Sequence, residues 1–312
     1  MGQDVVIVDL NEPFCDRHGL VKPAAVVQGH SQSVERILVV RINFQSLAVQ
    51  VDGLVELVFS ECLDGLFENL FLCHDESIAI EFRAIMENIT TSSVQFPIGS
   101  GHGSGFLASP AGDRPRPGLL VIQEWWGMND HIKDITSRLA NEGFAALAVD
   151  MYDGKVTKDP DEAKGIMMDM DKAAAMEKLN AAVAYMKTKP GVSRVGVIGF
   201  CMGGYFSLAL ACNNKNIGAA APFYGSVPPD AVLGNLNAPT IYFYGEKDHH
   251  IASSEIDRLE RLMKSAGKTG EVIRYPESDH AFFNDTRKEV YNPKDSKDAW
   301  TRALAFLRKH LA

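Results

Sequence analysis

No Cys-x-x-Cys pair occurs in the 312 residues, and the five cysteines, Cys15, Cys62, Cys73, Cys201 and Cys212, are an odd number. That pattern argues against a disulfide framework or a zinc site, suits a reducing compartment and leaves at least one thiol free. Long apolar runs are also missing: charges interrupt each one well short of the roughly 18–20 residues that a membrane-spanning helix needs. The opening Met1-Gly2-Gln3-Asp4 lacks the basic segment of a secretory signal. The expectation is a soluble, cytoplasmic protein with no membrane partner. Clusters of Lys and Arg interleaved with aromatics are absent too, so nothing here offers a footprint for a phosphate backbone, and nucleic acid is a poor partner.

What is present is ordinary for a globular chain with a sizeable core: 46% apolar and 23% charged residues. The net charge of −9 is unevenly placed. Residues 1–88 hold 5 basic and 14 acidic side chains, whereas residues 89–312 hold 26 of each. Two compositionally different pieces therefore meet near residue 88.

From residue 93 the chain alternates strand and helix patterns. Ser93–Gly99 and Phe106–Ser109 read as a hairpin, and Leu119–Ile122 as a buried strand after Pro115-Arg116-Pro117-Gly118. His131–Glu142 puts Ile132, Ile135 and Leu139 on one helical face, with Gly143 as the stop. Strands follow at Phe144–Val149, Val195–Ile198, Ala219–Tyr224, Thr240–Tyr244 and Val272–Tyr275. Helical patterns cover Asp161–Lys187, Met202–Ala211, Ser253–Ala266 and Ser296–Leu311. Near-continuously apolar strands alternating with helices predict an α/β domain: a doubly wound, mostly parallel sheet with helices on both faces. Residues 1–88 break that rhythm. Leu47–Val51 and Leu54–Phe59 flank Asp52-Gly53 as in a hairpin, and Ile37–Ile42 is available to pair. That segment is either a small β-rich module or a partly disordered accessory extension.

The sharpest local signal is Gly199-Phe200-Cys201-Met202-Gly203-Gly204, between a strand and a helix. A nucleophile on so tight a turn needs small residues two positions before and after it, and Gly199 and Gly203 supply them. Cys201 then stands where serine stands in a G-x-S-x-G elbow, over the positive end of a helix dipole that favours a thiolate. The bland alternative is a small buried residue beside a glycine turn, the reading that also fits Cys212 next to Leu208 and Ala211. An elbow nucleophile calls for an acid and a histidine later in the chain. Asp248 follows the strand Thr240–Tyr244 and His280 follows the next one, both at the carboxyl end where parallel-sheet sites collect. Their alternatives are an Asx turn and a surface histidine. His249, His250 and His131 fit surface or capping positions.

Together with Gln123-Glu124-Trp125-Trp126-Gly127 and Ser278-Asp279-His280-Ala281-Phe282, these motifs make residues 89–312 resemble the dienelactone hydrolase (carboxymethylenebutenolidase) family of α/β hydrolases. The resemblance implies Cys201 as nucleophile, His280 as base and Asp248 as its orienting acid. It also implies that Glu124 holds the resting thiol and exchanges partners when substrate arrives. A carboxylate at a buried strand end beside two Trp rings suits that task, unless it caps the helix that begins at Asn129–His131. The backbone N–H groups of Trp125 and Met202 are the natural oxyanion-hole donors. The expected reaction is hydrolysis of a small ester or lactone through an acyl-thioester, with no metal or organic cofactor and as a monomer or homodimer.

Family members grip a substrate carboxylate with arginines, one shortly after the catalytic histidine. Here no arginine follows His280 until Arg287, and the stretch after Tyr152 offers Lys155, Lys158 and Lys164 instead. Dienelactone itself is therefore in doubt as the substrate. Tyr152, Tyr224 and Phe282 are candidate substrate-binding residues that, with Trp125 and Tyr205, would line a more apolar pocket, unless they serve simply as core. The competing function is a hydrolase-like interaction protein with vestigial chemistry whose partner binds residues 1–88.

Overall fold

The computed structural model describes residues 5–9, 37–42, 47–52, 89–112 and 114–311. The chain divides into two units, Met1–Met86 and Glu87–Ala312. In the first, β1 (Val5–Asp9) runs parallel to β2 (Ile37–Ile42), which pairs antiparallel with β3 (Leu47–Asp52). Leu47–Val51 thus pairs with the earlier strand, Ile42 opposite Leu47, and the second arm of the Asp52-Gly53 hairpin lies outside the described residues.

The second unit is built on an eight-stranded sheet. A hairpin of β4 (Ile89–Ile98) and β5 (Gly101–Pro110) forms its antiparallel edge, closed by Gly99, whose φ of +52° suits glycine. The other strands, all parallel, are β6 (Arg116–Ile122), β7 (Ala145–Val149), β8 (Val192–Phe200), β9 (Ile217–Phe223), β10 (Thr240–Gly245) and β11 (Gly270–Tyr275). Their order across the sheet is β11-β10-β9-β8-β6-β7-β5-β4.

The apolar strands read as continuous runs because both faces are covered. Along β6, Leu119 and Val121 meet Ile132 and Ile135 of α1 (Asp130–Asn141) and Leu307 of the closing helix. Leu120 and Ile122 point the other way, into a cluster with Leu179, Val183 and Leu208. On that side lie α3 (Lys172–Lys187) and α4 (Met202–Asn213); α2 (Pro160–Asp169) precedes α3. The single helical pattern read over Asp161–Lys187 is in fact α2 and α3, broken at Met170. Asp171 accepts hydrogen bonds from Ala173 N (2.8 Å) and Ala174 N (3.2 Å), so its side chain starts a new helix. A short α5 (Asp230–Leu233), α6 (Ser253–Ser265) and α7 (Pro293–Leu311) complete the unit. In α6, Ile256, Leu259 and Met263 face inward, at the spacing the sequence predicts. Among the described residues no helix is long and apolar enough to cross a membrane.

The topology decides where chemistry can gather. Glu124, Cys201, Asp248 and His280 each follow the carboxyl end of a parallel strand, β6, β8, β10 and β11 respectively.

Candidate active site

Between the last residue of β8 and the first of α4, Cys201 adopts φ 53°, ψ −113°, a conformation that costs a side-chain-bearing residue strain. The surroundings enforce it. A methyl group on Gly199 would collide with the Gly203 carbonyl, one on Gly203 with the Ile122 carbonyl of β6, and one on Gly204 with the Phe223 carbonyl of β9. The turn is wedged between two neighbouring strands, and Cys201 N donates to Phe223 O at 3.1 Å to hold it there. The thiol is left half-buried at the start of the helix.

Gly245 does the same for the neighbouring loops. A side chain there would strike the Ser278 carbonyl, so its absence lets the segments after β10 and β11 pack together, tied by Lys247 N donating to Ser278 O. Asp248 and His280 meet as a result. His280 Nδ1 lies 2.7 Å from Asp248 Oδ2, and its Nε2 lies 3.1 Å from Cys201 Sγ. Asp248 Oδ1 meanwhile accepts from His250 N (2.7 Å) and Ile251 N (2.9 Å). The Asx-turn reading and the orienting-acid reading thus describe the two oxygens of one carboxylate. Burial of His280 opposes its protonated form, but the hydrogen bonds to Asp248 and Cys201 and the charge on both outweigh it and push the imidazole up to about 10. At neutral pH this is an imidazolium facing sulfur.

Glu124 is buried and accepts from Asn284 Nδ2 at 2.7 Å and from the Tyr224 hydroxyl at 3.3 Å. The helix-capping alternative fails, because Asn129 takes that place and accepts from Ile132 N through its own side chain. The hydrogen bonds of Glu124 do not include one to Cys201, whose sulfur is turned to His280. Tyr224 (φ 38°) and Ala281 (φ 62°) also sit in left-handed backbone, so strain is concentrated around this center.

Glu124, Cys201, Met202 and His280 open onto a cavity of about 530 Å³ whose walls include Trp125 and Trp126. Pro160 and Met167 of α2 form another part of the wall. The three aromatics assigned to substrate binding separate. Tyr224 reaches the cavity, but its hydroxyl is engaged with Glu124 and its ring packs edge-on against His280 at 5.3 Å. Tyr152 bonds Met202 Sδ at 3.1 Å and lines a different cavity, of about 400 Å³, beside α2 and α3. Phe282 is fully buried between Tyr224 and Tyr275 and serves as core.

Two pocket residues, and one buried residue behind the pocket, escape the sequence argument. His250 packs against His280, ring centers 4.8 Å apart, because Asp248 caps the turn that carries it. Asn284 reaches Glu124 from four residues past His280. Arg287, set aside on spacing, lines the cavity with its guanidinium 5.8 Å from the Trp126 ring center. The chain folds back after His280, Arg287 N donating to Asn284 O and Tyr291 N to Arg287 O, and this shortens the distance that counting residues suggests. Among the described residues no group of three or more His, Cys, Asp or Glu is placed to hold a metal ion.

A mostly parallel sheet wound on both faces, with an elbow residue, an acid and a histidine after the carboxyl ends of β8, β10 and β11, defines an α/β hydrolase. Residues 104–311 match the Dienelactone hydrolase family, and the chain belongs to that family. It is 36% identical over 222 residues to "Protein usf" of Aquifex pyrophilus, covering 66% of this chain and 93% of that one. It is 33% identical over 239 residues to the "Putative carboxymethylenebutenolidase" of Methylorubrum extorquens, covering 71% and 82%. Among solved structures, the "Putative Dienelactone Hydrolase" of Klebsiella pneumoniae superposes with a TM-score of 0.66 at 28% identity, covering 71% of this chain and 99% of that one.

Proposed function

We propose that this protein hydrolyzes small esters or lactones with Cys201 as nucleophile, His280 as acid and base, and Asp248 as the group that orients and charges His280. One observation carries the reading: His280 bridges Asp248 and Cys201 at 2.7 and 3.1 Å, at a strained elbow opening into a cavity.

The thiolate attacks the carbonyl carbon, and the displaced π pair becomes an oxyanion received by the backbone N–H groups of Trp125 and Met202. Collapse expels the alkoxide, which takes the proton from His280, and leaves an acyl-thioester. Sulfur then carries no charge, so the Cys201 contributions that help hold a proton on His280 vanish. The neutral imidazole can now accept a proton from water as it attacks the thioester, and collapse returns the thiolate, the acid and the imidazolium. Glu124 takes the thiol proton when sulfur turns away from His280.

Arg287 supports a substrate with a carboxylate beyond the bond to be broken, since its guanidinium lies on the cavity wall over the Trp126 face. Trp125, Trp126 and Met167 suit an apolar body. The test is a panel of aryl esters and lactones, neutral and carboxylate-bearing, with wild type and Cys201→Ala. Turnover by wild type, loss in the variant and a preference for the anionic members is the expected result. Unchanged turnover in Cys201→Ala overturns the assignment.

A further inference from the structure

Glu124 is the carboxylate on the cavity wall that the contacts among Cys201, His280 and Asp248 do not engage, and the way it is held is specific. Each oxygen has its own donor, Tyr224 on Oε1 and Asn284 on Oε2, and both donors are neutral. Among the described residues no Lys or Arg lies within ion-pairing distance of it. The orientation of the Asn284 amide is fixed by its other end. Oδ1 accepts from Thr286 N (3.1 Å) and Thr286 Oγ1 (2.6 Å), and a backbone N–H can only donate, so the amide nitrogen must face Glu124.

The loop is closed by other contacts besides those of this side chain. Ser296 Oγ and Asn292 N donate to the Phe282 carbonyl, Asn284 N donates to Ala281 O, and Asp285 meets His131 and Arg138 of α1. What the Asn284 amide adds is a directed, uncharged donor on a buried carboxylate. A cation in its place would pair with the carboxylate as an ion; a neutral amide holds the group in line without a counter-charge.

We propose that Asn284 is a positioning residue that holds Glu124 oriented and without a counter-ion, so that Glu124 can take and return the Cys201 thiol proton. This rests on reading Cys201 as the nucleophile. In the step, the proton leaves S–H for a carboxylate oxygen and the electron pair stays on sulfur; the reverse transfer restores the thiol.

The test uses the full chain and two readouts: kcat/KM for an aryl ester against pH, and the rate of iodoacetamide alkylation at Cys201, followed by peptide mass, against pH. Asn284→Ala is expected to lower kcat/KM about tenfold with KM little changed. Asn284→Asp sets a second carboxylate against Glu124, and the pair must share a proton. Both profiles should then gain an ionization between about pH 5 and 8, while the alkaline limb stays in place. Profiles of wild-type shape, with only thermal stability reduced, overturn the proposal. A double-mutant cycle decides the matter even if Asn284→Asp does not fold. Asn284→Ala should cost little in a Glu124→Gln background, and an undiminished cost there shows that Asn284 does not act through Glu124. Hydrolysis surviving in Cys201→Ala would instead defeat the nucleophile reading, which the Asn284–Glu124 coupling does not measure.

Discussion

The residue that caps the start of α4 and one in its last turn carry the same functional group under opposite conditions. Cys201 is half-buried, in left-handed backbone, with the His280 imidazolium 3.1 Å from its sulfur. Cys212 is 2% exposed among Leu208, Leu210 and Ile217, and burial, only partly offset by Lys268, pushes its thiol up to about 12. The helix is one continuous piece, so the contrast lies entirely in what each end meets. One end is forced against two strand carbonyls by glycines and receives side chains from two other loops; the other sinks into the core. On the proposed reading, reactivity here is a property of surroundings built by distant parts of the chain.

The contrast can be broken or sharpened in order of expected size. Iodoacetamide should label Cys201 at least about a thousandfold faster than Cys212 in the folded protein at neutral pH, because Cys201 opens onto the cavity beside His280 whereas burial keeps Cys212 a covered thiol; comparable rates would erase the distinction. Asp248→Asn should lower kcat/KM about a hundred- to ten-thousandfold, since it removes the charge that holds the proton on His280 and misdirects its tautomer. Against pH, kcat/KM for an aryl ester should fall as pH rises through about 10, where His280 loses its proton. The same raised value makes folding stability depend on pH. The contribution is fully present below the ordinary histidine range and is lost as pH rises through about 10, so the melting temperature should decline over that window. The smallest effect belongs to Cys212→Ala: kcat/KM within about twofold of wild type and about 1 kcal/mol less stability, measured by denaturant unfolding.

Much of this arrangement is legible in the sequence because it is written locally. The elbow depends on glycines two residues away, and the order of strand ends puts Asp248 and His280 beside it whatever the intervening helices do. The apolar runs of β6, β7, β9 and β10 read clearly, since a strand covered on both faces needs no alternation. Other features depend on contacts that spacing does not encode. The break at Met170 comes from an aspartate acting as a cap inside a helix-favoring stretch. Asn284 reaches Glu124, and Arg287 the cavity, only because the chain turns back after His280. Phe282 and Tyr152 carry the residue types of a binding wall, yet neighboring aromatics and Met202 take them into packing. Tyr224 is placed by a strained φ of 38° that its sequence does not announce.

The central claim is that the elbow sulfur becomes covalently acylated. The direct measurement is rapid quenching of the protein with an activated aryl acetate at low pH, followed by peptide mass analysis. The account predicts an acetyl group on the peptide containing Cys201, formed during turnover and lost as the ester is consumed, and absent from the Cys212 side of the same helix. Full hydrolytic turnover with no acyl group on Cys201 at any quench time, or with the acyl group on another residue, would contradict it.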